Sequence, residues 1–182
     1  METPALPERS VFERAAQGDK DALTMVFRAF QPGLLRYLRG RLPDAADDLA
    51  AQTWLDAVRN LGRFSGGAED FRRWLFTIAR RRVQDELRRR GRRPEQVTAS
   101  PPDEPGRDDA LQAHDELARA LALVRRLPPD QADAVLLRIV AGMDVGQVAE
   151  VMGRSEGSVR VLVHRGLQRL RELAERVTWM LV

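Results

Sequence analysis

The chain has 182 residues, of which 43% are apolar, enough for one or two compact domains. With no cysteine and two histidines, it is neither a disulfide scaffold nor a zinc ribbon, and a reducing cytoplasm is the expected location. No apolar run approaches the roughly 18 residues of a membrane span, so no membrane insertion is expected, and the net charge of +3 conceals a strong segregation of charge along the chain.

Strand signals are almost absent and helical periodicity is nearly continuous, which predicts an all-α fold. Helices are expected near residues 10–17, 20–40, 45–62, 69–91, 110–126, 129–141, 144–152 and 155–177, the second of them disturbed at Pro32 and Gly33. Residues 10–91 and 110–177 read as two small helical domains. Between them, residues 92–109 (RRPEQVTASPPDEPGRDD) carry four prolines and no periodicity, a flexible linker of 18 residues that reaches at most roughly 60 Å.

In residues 44–61 (DAADDLAAQTWLDAVRNL), Ala50, Trp54, Ala57, Val58 and Leu61 form the expected inner stripe. The other face bears Asp47, Asp48, Gln52 and Asp56, and it fits either a basic partner or water. Residues 63–70 (RFSGGAED) make a loop whose Gly66 and Gly67 allow close backbone approach, so that it forms either a pocket or a simple turn. The next segment, 71–91 (FRRWLFTIARRRVQDELRRRG), turns Phe71, Trp74, Leu75, Ile78 and Ala79 inward and carries a second apolar stripe of Phe76, Val83 and Leu87. Ten arginines between Arg72 and Arg93 face only Asp85 and Glu86, a surface suited to phosphates. Downstream, residues 94–118 are acidic, with Arg107 their only base.

Residues 144–152 (DVGQVAEVM) begin on an N-cap aspartate and stop at Gly153. After a three-residue turn comes 154–173 (RSEGSVRVLVHRGLQRLREL), where Val159, Leu162, Val163, Leu167, Leu170 and Leu173, and beyond them Val177, share one face. Arg160, His164, Gln168 and Arg171 form a stripe on the other, flanked by Arg165 and Arg169. A short helix, a Gly-containing turn and a longer basic helix make the pattern of a DNA-reading helix-turn-helix, although a plain αα-hairpin shares its apolar spacing.

In order and spacing, these blocks resemble an extracytoplasmic-function (ECF) sigma factor of the bacterial sigma-70 family, from about Ala22 to Leu173. The resemblance implies that residues 10–91 are sigma region 2, which binds core RNA polymerase and recognises and melts the minus 10 element. It implies that residues 110–177 are region 4, which reads the minus 35 element. The face of Asp47, Asp48, Gln52 and Asp56 would dock on the β′ clamp helices, and the β flap is a further implied polymerase contact. Ser65, Gly66, Gly67, Ala68, Glu69 and Asp70 would capture a flipped minus 10 base, with Arg72, Arg73, Arg80 and Arg81 gripping phosphates. Ser155, Ser158, Arg160, Val161, His164 and Arg165 would read the minus 35 element. Promoter DNA and an anti-sigma factor are the other implied partners, and a monomer is expected in the free state. Three departures stand out: Ala51 where many relatives have Gln, Leu162 where an Arg is common, and a 66–70 loop one residue longer than usual.

The competing reading is a two-domain helix-turn-helix regulator that binds DNA independently of polymerase, but it gives no reason for an acidic docking helix beside an arginine-rich one. An enzyme is not expected: His114 and His164 lie in unrelated contexts, no HExxH, P-loop or GxSxG motif occurs, and no cofactor or metal is called for. The apolar end 177–182 (VTWMLV) is expected to pack on its own domain, with partner contact as the alternative.

Overall fold

The computed structural model describes residues 6–92 and 109–179, which places most of the expected linker and the last three residues of the apolar end outside the described residues. Among the described residues every regular element is a helix and no strand occurs. The N-terminal bundle contains α1 (Arg9–Ala16), α2 (Lys20–Arg41), α3 (Ala46–Asn60) and α4 (Ala68–Arg92). The C-terminal bundle contains α5 (Asp109–Val124), α6 (Pro129–Val135), α7 (Val145–Met152) and α8 (Glu156–Trp179).

α2 starts at Asp19, whose carboxylate accepts from the backbone N–H of Asp21 at 2.9 Å and of Ala22 at 3.1 Å. It runs unbroken through Pro32 and Gly33, contrary to the expected disturbance. Its inner stripe of Val26, Phe30, Leu34, Tyr37 and Leu38 is buried on both sides of the proline, so tertiary packing outweighs the one missing hydrogen bond. α4 is gripped on two faces: Phe71 meets Phe12 and Phe30 with ring centroids 5.1 Å apart, and Phe76 meets Tyr37 edge-on at 5.6 Å. Val83 is buried with Phe76, whereas Leu87 is 37% exposed and lies outside the second stripe.

α6 begins with Pro129 in its first turn and passes into a π turn, Leu136–Val140, where a continuous α-helix to residue 141 is expected from the periodicity. The N–H of Ala141 bonds the carbonyl of Leu136 at 2.9 Å. The wider turn buries the adjacent Leu136 and Leu137 together and throws Ile139 outward to 60% exposure.

Both bundles contribute to one continuous apolar core, in which α2 packs against α5 and α6 and α4 packs against α7. The two domains are therefore helical, as the periodicity implies, and they are in direct contact.

Candidate nucleic-acid interface

α7 carries a complete capping box: Gln147 N–H donates to Asp144 Oδ1 at 2.8 Å, and Asp144 N–H donates to Gln147 Oε1 at 2.9 Å. Gly153 closes the helix in the left-handed region, φ 64°, and sends the chain directly into α8. Val159 of α8 is fully buried, with Leu162, Val163, Leu167 and Leu170 packed against the core beside it. Ser155, just before α8, and Ser158, Arg160, Val161, His164 and Arg165 on it are all exposed. Ser155 Oγ lies 3.0 Å from Ser158 Oγ and accepts from the Ser158 N–H at 3.3 Å, while Arg160 pairs with Glu156 at 2.6 Å. All six expected reading positions are thus exposed near the N-terminal end of an anchored helix, with Ser155, Ser158 and Val161 sharing a shallow groove with Arg154 and Gly157.

The 63–70 loop and α4 form a second surface, arranged differently from the sequence expectation. An open cleft of about 780 Å³ is lined by Asp56, Asn60, Arg63, Phe64, Ser65, Trp74, Ile78, Arg81, Arg82 and Asp85. The Phe64 and Trp74 rings stack beside it, 5.4 Å apart and inclined by 20°. Of the residues expected at the minus 10 site, Ser65 and Arg81 line this cleft, but Gly66, Gly67, Ala68, Glu69, Asp70, Arg72, Arg73 and Arg80 do not.

Several of those are engaged elsewhere. Asp70 Oδ2 accepts from the Gly67 N–H at 3.0 Å, and this bond, helped by Arg73, holds its carboxyl below the usual carboxylate range. Arg72 pairs with Glu69 at 2.7 Å. Arg73 pairs with Asp70 and reaches Glu150 of α7 at 2.6 Å, and Arg80 donates to Asp133 of α6 at 3.0 Å.

Asn60 lay outside the sequence expectation, Arg63 and Phe64 belong to the loop read as a pocket or a turn, and Trp74 and Ile78, expected to face inward, are half-buried against the core and also line the opening. The available signal was the spacing of Trp74, Ile78, Arg81 and Asp85, which share one stripe of α4.

Of the stripe expected on α3, Ala50, Ala57 and Leu61 are buried and Trp54 is half-buried against the core, while Val58 is not; Ala46, Leu49 and Thr53 complete the buried face. Val58 lies about 100° around from Ala57 and is 49% exposed, beside Leu55 at 54%. Trp54 is half-buried and donates to Gln31 Oε1 at 2.6 Å, its ring 5.1 Å from Phe27. Asp48 and Gln52 are exposed as expected, and Asp47 is loosely paired with Arg39 at 3.7 Å. Asp56 departs from this set: it turns toward α4 and accepts from Arg82 Nε at 2.9 Å.

Two family models match the chain, the Sigma-70 region 2 model over residues 26–93 and the Sigma-70 region 4 model over residues 117–170. ECF RNA polymerase sigma factor ShbA of Streptomyces griseus is 34% identical over 182 residues, covering 92% of this chain and 95% of ShbA. The chain belongs to the ECF RNA polymerase sigma factors of the sigma-70 family. A further relative of this sigma factor, BldN of Streptomyces coelicolor, is 34% identical over 88% of this chain, which spans 63% of BldN's length. Among solved structures, the sigma factor RpoE in complex with the anti-sigma factor NepR from Bartonella quintana has a TM-score of 0.67 at 25% identity, covering 87% of this chain and 98% of RpoE. CnrH in complex with the cytosolic domain of CnrY shares the fold, with a TM-score of 0.70 at 22% identity over 93% of this chain and 97% of CnrH.

Proposed function

We propose that this sigma factor binds core RNA polymerase through α3 and directs it to promoters with two DNA-reading surfaces, the cleft beside α4 and the exposed face of α8. The observation that carries the reading is the presence of both surfaces on one chain. A helix-turn-helix alone serves any operator-binding regulator, but a cleft edged by stacked aromatics and arginines serves unpaired DNA.

Extruding a base from the duplex costs a few kcal/mol. Stacking on the Phe64–Trp74 edge would return about 1–3 kcal/mol per base, and Arg63, Arg81 and Arg82 supply cations for the adjoining phosphates. The site proposed for the minus 10 base is therefore this cleft, with Ser65 and Arg81 kept from the sequence expectation and Gly66 to Asp70 acting as the loop that shapes it. Ser155, Ser158, Arg160, Val161, His164 and Arg165 read the minus 35 element. Asp47, Asp48 and Gln52 provide the acidic docking face for the β′ clamp helices, together with the exposed Leu55 and Val58. An anti-sigma factor is proposed as a regulator by analogy with the NepR complex.

Run-off transcription with purified bacterial core polymerase, with and without this protein, on sheared DNA from its own genome tests the reading. Discrete transcripts that need the protein are expected. Tight sequence-specific DNA binding by the protein alone, with no transcripts and no core binding, would overturn it.

A further inference from the structure

Helix α1 lies before residues 26–93, the stretch that the Sigma-70 region 2 model matches, and none of its residues lines the cleft beside α4. It packs on α2 and on the Leu61–Arg63 turn that leads into the loop before α4. Its central ring, Phe12, is only 2% exposed. Phe12 meets Phe71 of α4 with centroids 5.1 Å apart, Phe30 of α2 at 6.3 Å, and Phe64 of the loop at 5.9 Å with the two rings tilted by 58°. Phe64 is held on two further sides, edge-on to Phe71 at 5.4 Å and stacked on Trp74. Phe71 and Trp74 both belong to α4, so Phe12 is the ring that fixes Phe64 from another helix.

The loop around Phe64 has little else to stiffen it. Its backbone is extended at Phe64, φ −78° and ψ 134°, and runs on to an exposed Ser65. Gly66 takes φ 149°, where a Cβ would lie 2.7 Å from Asp70, and the Asp70 carboxylate fastens the Gly67 N–H. One end of the loop is therefore pinned by a hydrogen bond and the other by ring contacts. A stacking surface held in place beforehand loses less side-chain entropy when a base arrives, and a ring buried beneath it does so without touching DNA. Resting on the promoter-reading function proposed above, we propose that Phe12 is a positioning residue for promoter opening, whose ring keeps Phe64 stacked on Trp74 ready for the unpaired minus 10 base.

Phe12→Leu keeps an apolar side chain beneath the platform but removes the ring, whereas Val11→Ala, at a buried neighbour in α1, loosens the same helix and leaves every ring contact. The full-length proteins are assembled with bacterial core polymerase and titrated with two DNAs from a promoter mapped by the run-off transcripts. One is a fork whose non-template minus 10 strand is unpaired, and the other is a duplex that ends upstream of that element. Thermal unfolding by circular dichroism ranks the variants by stability. Phe12→Leu is expected to bind the fork about tenfold more weakly, part of the stacking of one base, with core and upstream-duplex affinities unchanged. Val11→Ala should stay close to wild type on both DNAs. In a Phe64→Ala background, Phe12→Leu should cause no further loss, because its ring acts only through Phe64. Equal losses in both backgrounds, fork affinity that merely tracks stability across Phe12→Leu and Val11→Ala, or wild-type fork affinity in Phe12→Leu would each overturn the positioning role. If Phe12→Leu does not fold, Phe12→Met, which fills the site without a ring, is read by the same criteria. A wild-type holoenzyme that binds the fork no better than the upstream duplex would instead refute the reading of the cleft itself, and the positioning role with it.

Discussion

Arg160 extends from the solvent face of α8, held at 2.6 Å by Glu156 one turn earlier. On the proposed function, promoter DNA would have to outcompete an exposed carboxylate, a weak rival in water. Arg160→Ala is expected to weaken recognition of the upstream element by about 1–3 kcal/mol, measured by competition between promoter and scrambled duplexes. An equal loss on both duplexes would assign Arg160 to phosphate alone. Trp74 makes a different contribution, because its ring is both a neighbour of Phe71, 5.7 Å away, and one half of the stacked pair beside the cleft. Trp74→Ala should reduce permanganate reactivity of melted thymines at unchanged occupancy of the upstream element. If occupancy and melting fell together, the ring would be a packing residue only.

At the scale of the element, the C-terminal part of α4 is clasped to the segment before α3. Glu86 takes both Arg89 and Arg90, and Arg90 reaches Asp44 at 2.7 Å. Hydrogen bonds from the two arginines pull the Glu86 carboxyl down to about 2, and Arg90 lowers Asp44. A carboxyl whose folded value is depressed contributes stability that is full above its unfolded value, about 4.3, and is lost as pH falls through the folded one. Chemical denaturation from pH 7 to pH 2 should therefore show stability falling below about pH 4.5. Glu86→Gln should be less stable at neutral pH and show a shallower acid limb; an identical limb would place the acid sensitivity elsewhere.

The caps of α7 were legible from residue types alone, since Asp144, Gln147 and Gly153 act within their own turn. Asp144→Ala should cost about 1 kcal/mol, a fall in Tm of about 2–4 °C by calorimetry. The π turn after α6 was not legible, because the periodicity of 129–141 describes apolar positions and not the demand that Leu136 and Leu137 be buried side by side. The cleft was half legible: its α4 wall follows from spacing, but Asn60 at the end of α3 and Phe64 after the turn that follows it meet that wall only through a path set by tertiary contacts.

Across the whole molecule, the all-α architecture and the helix-turn-helix could be read from periodicity, but the contact between bundles could not. Asp133 looks in sequence like one more polar residue of an amphipathic helix, and its partners Tyr37, Arg41 and Arg80 lie far away along the chain. A proline-rich connector pointed to independence of the two halves, whereas they share a core. Urea unfolding of the wild type should consequently follow one cooperative transition, coincident by fluorescence and circular dichroism. Gly40→Leu, at a position where even a Cβ would lie 2.7 Å from Leu136 of the C-terminal bundle, should separate it into two. Two transitions already present in the wild type would mean that the bundles unfold independently despite their contact.

The buried aspartate also bears on how such a chain can be recombined. Promoter-reading halves look like interchangeable parts, each with its own DNA element. Here a foreign C-terminal half would also have to present a carboxylate where Asp133 meets Arg41 and Arg80, and apolar side chains that pack on Gly40 as Leu136 and Leu121 do. A chimera lacking that acid would strand two arginines in an apolar seam. Grafting a new promoter preference onto this scaffold therefore means transplanting the seam together with the recognition helix.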